Sequence, residues 1–197
     1  SELLFLDRTD APSEDEQYRI YRNVLEGFSG QKVVVRTLDA GADKPLPFLP
    51  FGEEPNPAMG VRGLRICMQA PDIMHTQLHA LARAAEGLDA ELWVMAPMIA
   101  DVYEATWFRE ACKKAGLHAK IGTMVEIPAA ALRSKHLGQV AEFFSIGSND
   151  LTQYTFAADR QIGSVARLQD AWQPAIRNSS ASWAEATPAS VTAAASS

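Results

Sequence analysis

The feature that most narrows the fold is a repeated alternation of short β-branched or aromatic runs with stretches of helical periodicity. "SELLFLD", "KVVVRTLD", "AELWVMAPM", "HAKIGTMVEI" and "EFFSIG" read as five strands. Between the first two, Tyr18, Tyr21, Leu25 and Phe28 recur at helical spacing, behind a Ser13–Glu16 capping-box pattern and ahead of Gly30. "VRGLRICMQ" suits a short helix. Asp72 predicts the cap of a longer one over "IMHTQLHALARAAE", closed by Gly87. Asp101 with Glu104 predicts another, ending at Gly116, and Pro128 opens a single helix over "PAAALRSKHLGQVA". Strands alternating with helices need right-handed crossovers and so form a parallel sheet, which places the chain in the α/β class.

Composition removes several functions. The 197 residues carry 18 basic and 24 acidic side chains, net −6, which argues against general nucleic-acid binding. No apolar run reaches membrane-span length, so no membrane partner is expected. The chain opens in a strand-like run, which predicts no signal peptide. Two cysteines, Cys67 and Cys112, are too few for a disulfide framework and suit buried positions in a cytoplasmic protein. The loop "AGADKPLPFLPFGEEPNPAMG" is long for a compact domain, as functional or disordered loops are. Beyond it the expected organisation is one domain over 1–177. A tail over 178–197, "NSSASWAEATPASVTAAASS", holds too little apolar surface to offset ordering and is expected to be disordered.

Three polar clusters fall where a strand ends: Arg36 with Asp39, Glu126, and Asn149 with Asp150. Any one alone reads as a cap or loop ion pair; three on one expected rim read as a site. Glu126 and Asp150 are candidate oxygen ligands for a hard cation, and Mg²⁺ takes one or two carboxylates while sharing its other positions with water and a phosphate-bearing substrate. A general acid/base pair is the alternative use of the same two groups. Arg36, Lys44, Arg62 and Arg160 could bind an anion, since arginine presents a bidentate fork to phosphate. Arg65 reads instead as a solvated surface cation. His75 and His79 have helical metal-pair spacing, but Thr-Gln-Leu lies between them and no acidic partner. His118 and His136 read as solvated.

The stretches "ELLFLDR", "VVVRTLDAGADKPLPF", "NPAMGVRGLRI", "MAPMI", "GTMVEIPAAA" and "FFSIGSNDLTQYTFAADR" closely resemble the phosphoenolpyruvate-binding domain of enzyme I of the bacterial sugar phosphotransferase system, from about residue 1 to about residue 175. The more distant dikinase-type relatives, pyruvate phosphate dikinase and phosphoenolpyruvate synthase, share mainly the "SIGSNDLTQ" part. The resemblance implies a TIM-type (β/α)8 barrel, here incomplete at about five strands, with its site at the carboxyl ends of the strands. It implies that Glu126 and Asp150 ligate Mg²⁺ and that Arg36, Lys44 and Arg62 face the phosphoryl group. Asn149 and Arg160 would position the substrate's two ends. The implied function is phosphoenolpyruvate–protein phosphotransfer in sugar uptake. Its partners would be a histidine-bearing N-terminal domain and a small phosphocarrier protein, with a homodimer in the full-length family. The family's acceptor histidine and proton-donating cysteine have no counterpart in this stretch, so no catalytic residue is assigned and little or no turnover is expected from it alone. Retention of Mg²⁺ and substrate binding without catalysis is the alternative. Ala42, where the family usually has glycine, is a smaller departure.

Overall fold

The computed structural model describes residues 4–5, 8–41, 46–49, 52–176 and the backbone of 191–192. The chain divides into two compact units, Ser1–Pro97 with Trp107–Ile121, and Met98–Thr106 with Gly122–Ser197.

In the first unit, α1 (Glu14–Gly27) begins where the capping box predicts. Glu16 N–H donates to Ser13 Oγ, and Ser13 N–H donates to a Glu16 oxygen at 2.8 Å. The buried face is Gln17, Tyr21 and Leu25, a strict four-residue step. Tyr18 is only half-buried and Phe28, the C-cap, is exposed, so the predicted apolar stripe is rotated toward Gln17. β1 (Lys32–Arg36) pairs in parallel with β2 (Glu91–Ala96), Val33 opposite Leu92 and Arg36 opposite Met95. A 3-10 turn (Pro57–Met59) precedes α2 (Leu64–Gln69) and α3 (Pro71–Ala85). Asp72 does not cap α3. The N-cap is Ala70 without a side-chain bond, because Pro71 takes the first helical position, where its missing N–H costs nothing, and moves Asp72 into the first turn. Gly87, at φ +70°, closes the segment as expected.

Among the described residues of the "SELLFLD" run, Leu4 and Phe5 are not in a strand; an extended apolar run becomes one only where a neighbour supplies ladder partners. Phe5 instead packs in a buried cluster with Leu38, Ala40, Leu46, Leu49 and Ile66. At the amino ends of β1 and β2, Lys32 lies 3.8 Å and Lys120 4.6 Å from the Trp93 ring centroid. The Trp93 indole N–H donates to Glu91 at 2.8 Å. These cation–π contacts are worth about 0.5–1 kcal/mol each where the ammonium is solvated.

In the second unit, β3 (Lys120–Val125, from Gly122 on) pairs in parallel with β4 (Phe143–Ile146), Val125 opposite Ile146. Gly122 stands opposite Phe143, whose ring fills the space a side chain at 122 would need. α4 (Val102–Lys114) opens as predicted: Glu104 N–H donates to Asp101 Oδ1 at 2.9 Å. The single helix expected after Pro128 is two, α5 (Pro128–Leu132) and α6 (Ser134–Leu137), because Arg133 between them has φ −109° and ψ 18°. α7 (Ser148–Thr155) follows β4, and a 3-10 segment (Gly163–Leu168) comes after it. The predicted disordered tail lies largely outside the described residues; within it the backbone of β5 (Val191–Thr192) pairs in parallel with Phe144 and Ser145. Parallel pairs alternating with helices make this an α/β chain that fits an incomplete TIM-type barrel.

Both cysteines are buried and free. Burial, and secondly the Asp39 charge, pushes the Cys67 thiol up to about 12; burial also raises Cys112. The native chain at pH 8 is therefore expected to react with a thiol reagent at least tenfold more slowly than the unfolded chain. Equal rates would contradict the packing of α2 and α4. A thiol with a raised folded pKa stabilises fully below its unfolded value, so stability is expected to fall as pH rises above about 8.5.

Candidate functional site

The carboxyl end of β1 leads into Thr37, Leu38 and Asp39, all buried. Thr37 N–H donates to Met95 O at 2.9 Å, extending the β1–β2 ladder one residue. A polar clasp then holds the turn. Gln77, wholly buried on α3, accepts the Leu38 N–H at 3.0 Å and donates to the Tyr21 hydroxyl at 2.8 Å. Asp39 thus arrives in a fixed place, and two guanidinium groups meet it. Arg62 Nε lies 3.4 Å from Asp39 Oδ1 and Arg36 Nη1 lies 3.5 Å from Oδ2. Arg62 and Asp39 are each 1 % exposed, while the Arg36 side chain retains 29 % exposure. The Arg62 position depends on the next residue: Gly63 has φ +57°, a conformation that favours glycine, and its N–H donates to Ala40 O at 2.8 Å. Guanidinium groups gathered at one turn offer fork-shaped donors of the kind that suit an anion. Arg65 behaves differently, donating to the Gly60 carbonyl at 3.1 Å. Lys44 lies outside the described residues.

In the second unit, Glu126 follows directly on β3 and is 1 % exposed. Two backbone features hold its carboxylate. Met98 N–H donates to Glu126 Oε1 at 2.7 Å, and Met98 takes φ +60°, rare for a residue with a side chain and concentrated at functional sites. On the other side, a Cβ at Gly147 would come within 2.6 Å of Glu126 Oε2. Gly147 N–H donates to Val125 O at 3.1 Å, carrying the β3–β4 ladder past Ile146, and Gly147 is also the N-cap of α7. Asp150, 5 % exposed, lies in the first turn of that helix. Glu126 and Asp150 therefore leave the same carboxyl ends of two paired strands, with Gly147 between them in the chain path. Arg160 Nη1 lies 3.5 Å from Asp150 Oδ2, and Arg160 N–H donates to Gln153 Oε1 at 3.0 Å. Asn149, next to Asp150, is exposed.

Of the residues singled out by sequence, Arg36 and Arg62 are gathered around Asp39, and Asp150 is paired with Arg160. Asp39 as a shared counter-ion, Gln77, Gln153, Met98 and Gly147 were not assigned from sequence. The only available signals were glycine at 63 and 147, immediately beside an arginine and a strand end. Among the described residues no group of three or more His, Cys, Asp or Glu comes together, and His118 and His136 are exposed as expected. Two buried carboxylates with oxygen donors alone suit a hard divalent cation of the Mg²⁺ type, which completes its shell with water and substrate oxygens. No described helix is long and apolar enough to cross a membrane.

The profile of the family described as "PEP-utilising enzyme, PEP-binding domain" matches residues 1–191. A phosphoenolpyruvate-protein phosphotransferase of Streptomyces coelicolor is 60 % identical over 190 residues, covering 96 % of this chain and 34 % of the relative. One from Latilactobacillus sakei is 46 % identical, covering 89 % and 32 %. A "multiphosphoryl transfer protein" of Xanthomonas campestris is 45 % identical, covering 89 % and 22 %. The chain spans about a third or less of the length of these relatives. The family match extends past residue 175, where the motif resemblance ends.

Proposed function

The chain belongs to the PEP-binding domains of the PEP-utilising enzymes, and on that premise we propose that it binds phosphoenolpyruvate with Mg²⁺, as the substrate-binding part of a phosphoenolpyruvate–protein phosphotransferase. The observation that carries the reading is the pair of buried carboxylates, Glu126 and Asp150, at the ends of the adjacent parallel strands β3 and β4. These two side chains would hold the cation. A Mg²⁺ held there would supply charge neutralisation for an anionic substrate. The family resemblance assigns Arg36, Arg62 and Lys44 to the substrate's phosphoryl group, and Asn149 and Arg160 to positioning its two ends. Phosphoryl transfer asks mainly for this positioning and charge stabilisation, and little covalent chemistry of the binding domain.

The phosphoryl group then passes to a histidine on a separate domain and onward to a small phosphocarrier protein in sugar uptake, within a homodimer. In that transfer the contribution of this stretch is to bind and position the substrate. The buried free thiols go with a cytoplasmic location.

Calorimetric titration of the chain with phosphoenolpyruvate in millimolar Mg²⁺ tests the reading. Saturable binding is expected, lost in Glu126→Ala and in Asp150→Ala. Absence of heat at millimolar ligand, or binding that survives both substitutions, would overturn it.

A further inference from the structure

The Asp150 carboxylate has two cationic claimants. In the functional reading above, on which this inference rests, it ligates Mg²⁺; in the fold it is paired with Arg160, Nη1 to Oδ2 at 3.5 Å. The arrangement around Arg160 is built. α7 ends after Thr155, Ala157 takes φ +47°, and the chain turns back so that Gln153 O accepts the Ala158 N–H at 3.0 Å. The Gln153 side chain, 9 % exposed, then accepts the Arg160 N–H at 3.0 Å. Both ends of Gln153 therefore serve the turn that returns Arg160 to the first turn of its own helix. The Arg160 side chain is 29 % exposed while the Asp150 side chain it meets is 7 % exposed, so the arginine has room to change partners and the carboxylate stays in place.

We propose that Arg160 couples cation and substrate binding by competing with the cation for Asp150. A guanidinium in contact with Asp150 opposes a dication at the same carboxylate, whether it is displaced or stays beside the ion, because like charges a few ångströms apart repel. An anionic substrate reverses the sign. Its phosphate or carboxylate gives Arg160 a better bidentate partner than a shared Asp150, and the carboxylate is released to the metal. Substrate and cation then favour each other, and linkage makes the effect reciprocal. Gln153 is the positioning residue: it fixes the Arg160 backbone, so that only the side chain has to change partners.

The signature is a single substitution that moves two affinities in opposite directions. Mn²⁺, read by electron paramagnetic resonance of the free ion, serves as the cation probe, and phosphoenolpyruvate at saturating Mn²⁺ as the anion. Arg160→Met is expected to bind Mn²⁺ alone about twofold to fivefold more tightly than the parent chain, the scale of one partly exposed ion pair. The same variant is expected to bind phosphoenolpyruvate at least tenfold more weakly. Arg160→Lys, which keeps the charge but not the fork, should leave Mn²⁺ affinity within twofold and still weaken the anion. Gln153→Leu should move both affinities as Arg160→Met does, by less. Asp150→Asn separates the two layers. Undiminished Mn²⁺ binding in that variant overturns the functional reading itself, as does a parent chain that binds no Mn²⁺ at millimolar concentration. Mn²⁺ binding lost in Asp150→Asn but unchanged or weakened in Arg160→Met leaves the functional reading standing and overturns the coupling.

Discussion

Asp39→Ala is expected to destabilise the chain by about 3–5 kcal/mol, the penalty for removing one member of a buried ion pair. Arg62, 1 % exposed, then loses the carboxylate whose oxygens lie 3.4 Å from its Nε and Nη2. Arg36 retains 29 % exposure and can turn to water; the buried guanidinium cannot. Of a marginal total of roughly 5–15 kcal/mol, such a loss is large, and urea midpoints measure it. Asp39→Asn keeps an acceptor and should fall between. Asp39→Ala with Arg62→Met should recover part of the loss, because the buried guanidinium that faced the carboxylate is then removed with it. A change under 1 kcal/mol in Asp39→Ala would mean that the guanidinium finds solvent, and that the Arg62 position is not held by its carboxylate.

Gly147→Ala is the second large effect, and its cause is steric. Gly147 has φ −89°, which alanine adopts without strain, so the backbone is not the obstacle. The added methyl would lie 2.6 Å from Glu126 Oε2, 2.8 Å from Glu126 Cβ and 3.2 Å from Met124 Sδ. The Glu126 Cβ is tied to the main chain, so the side chain must swing and its Oε1 must leave the Met98 N–H, 2.7 Å away. Overpacking of this kind costs about 1–3 kcal/mol. Disturbing the groups that orient a ligand costs about 10–100-fold in metal affinity. Mn²⁺ affinity is therefore expected to fall at least tenfold in Gly147→Ala while circular dichroism stays that of the parent. Unchanged affinity would show that the Glu126 carboxylate does not need the space beside Gly147.

Much of the architecture was legible because it rests on local rules. "KVVVR", "ELWVMA" and "FFSI" are dense in residues that suit a pleated surface, and turn or capping residues bound them. The Ser13–Glu16 and Asp101–Glu104 caps were legible for the same reason: each is satisfied within a few residues. Two of the misreadings came from competition between equally local signals. Pro71 outranked Asp72 at the start of α3, and Arg133, in a run of good helix formers, carries no mark of the break at which it stands.

The candidate site was legible as residue types and not as partnerships. Carboxylates and guanidinium groups after apolar runs were visible. The meeting of Asp39 with Arg62, 23 positions apart, depends on the path of a loop and on the left-handed Gly63. Gln77 looks like a solvated residue on a helix, yet it is wholly buried because Leu38 N–H and the Tyr21 hydroxyl satisfy its amide. Met98 is the hardest case. Nothing in a methionine announces φ +60°; only a three-dimensional need to aim its N–H at Glu126 accounts for it.

The most direct measurement is anomalous diffraction from crystals of the chain soaked in Mn²⁺ with phosphoenolpyruvate. The account predicts one strong peak with an oxygen of Glu126 and an oxygen of Asp150 each within about 2.3 Å of it, near the distance such hard cations keep to oxygen. A peak bound by only one of the two, or two carboxylates too far apart to share an ion, would contradict it.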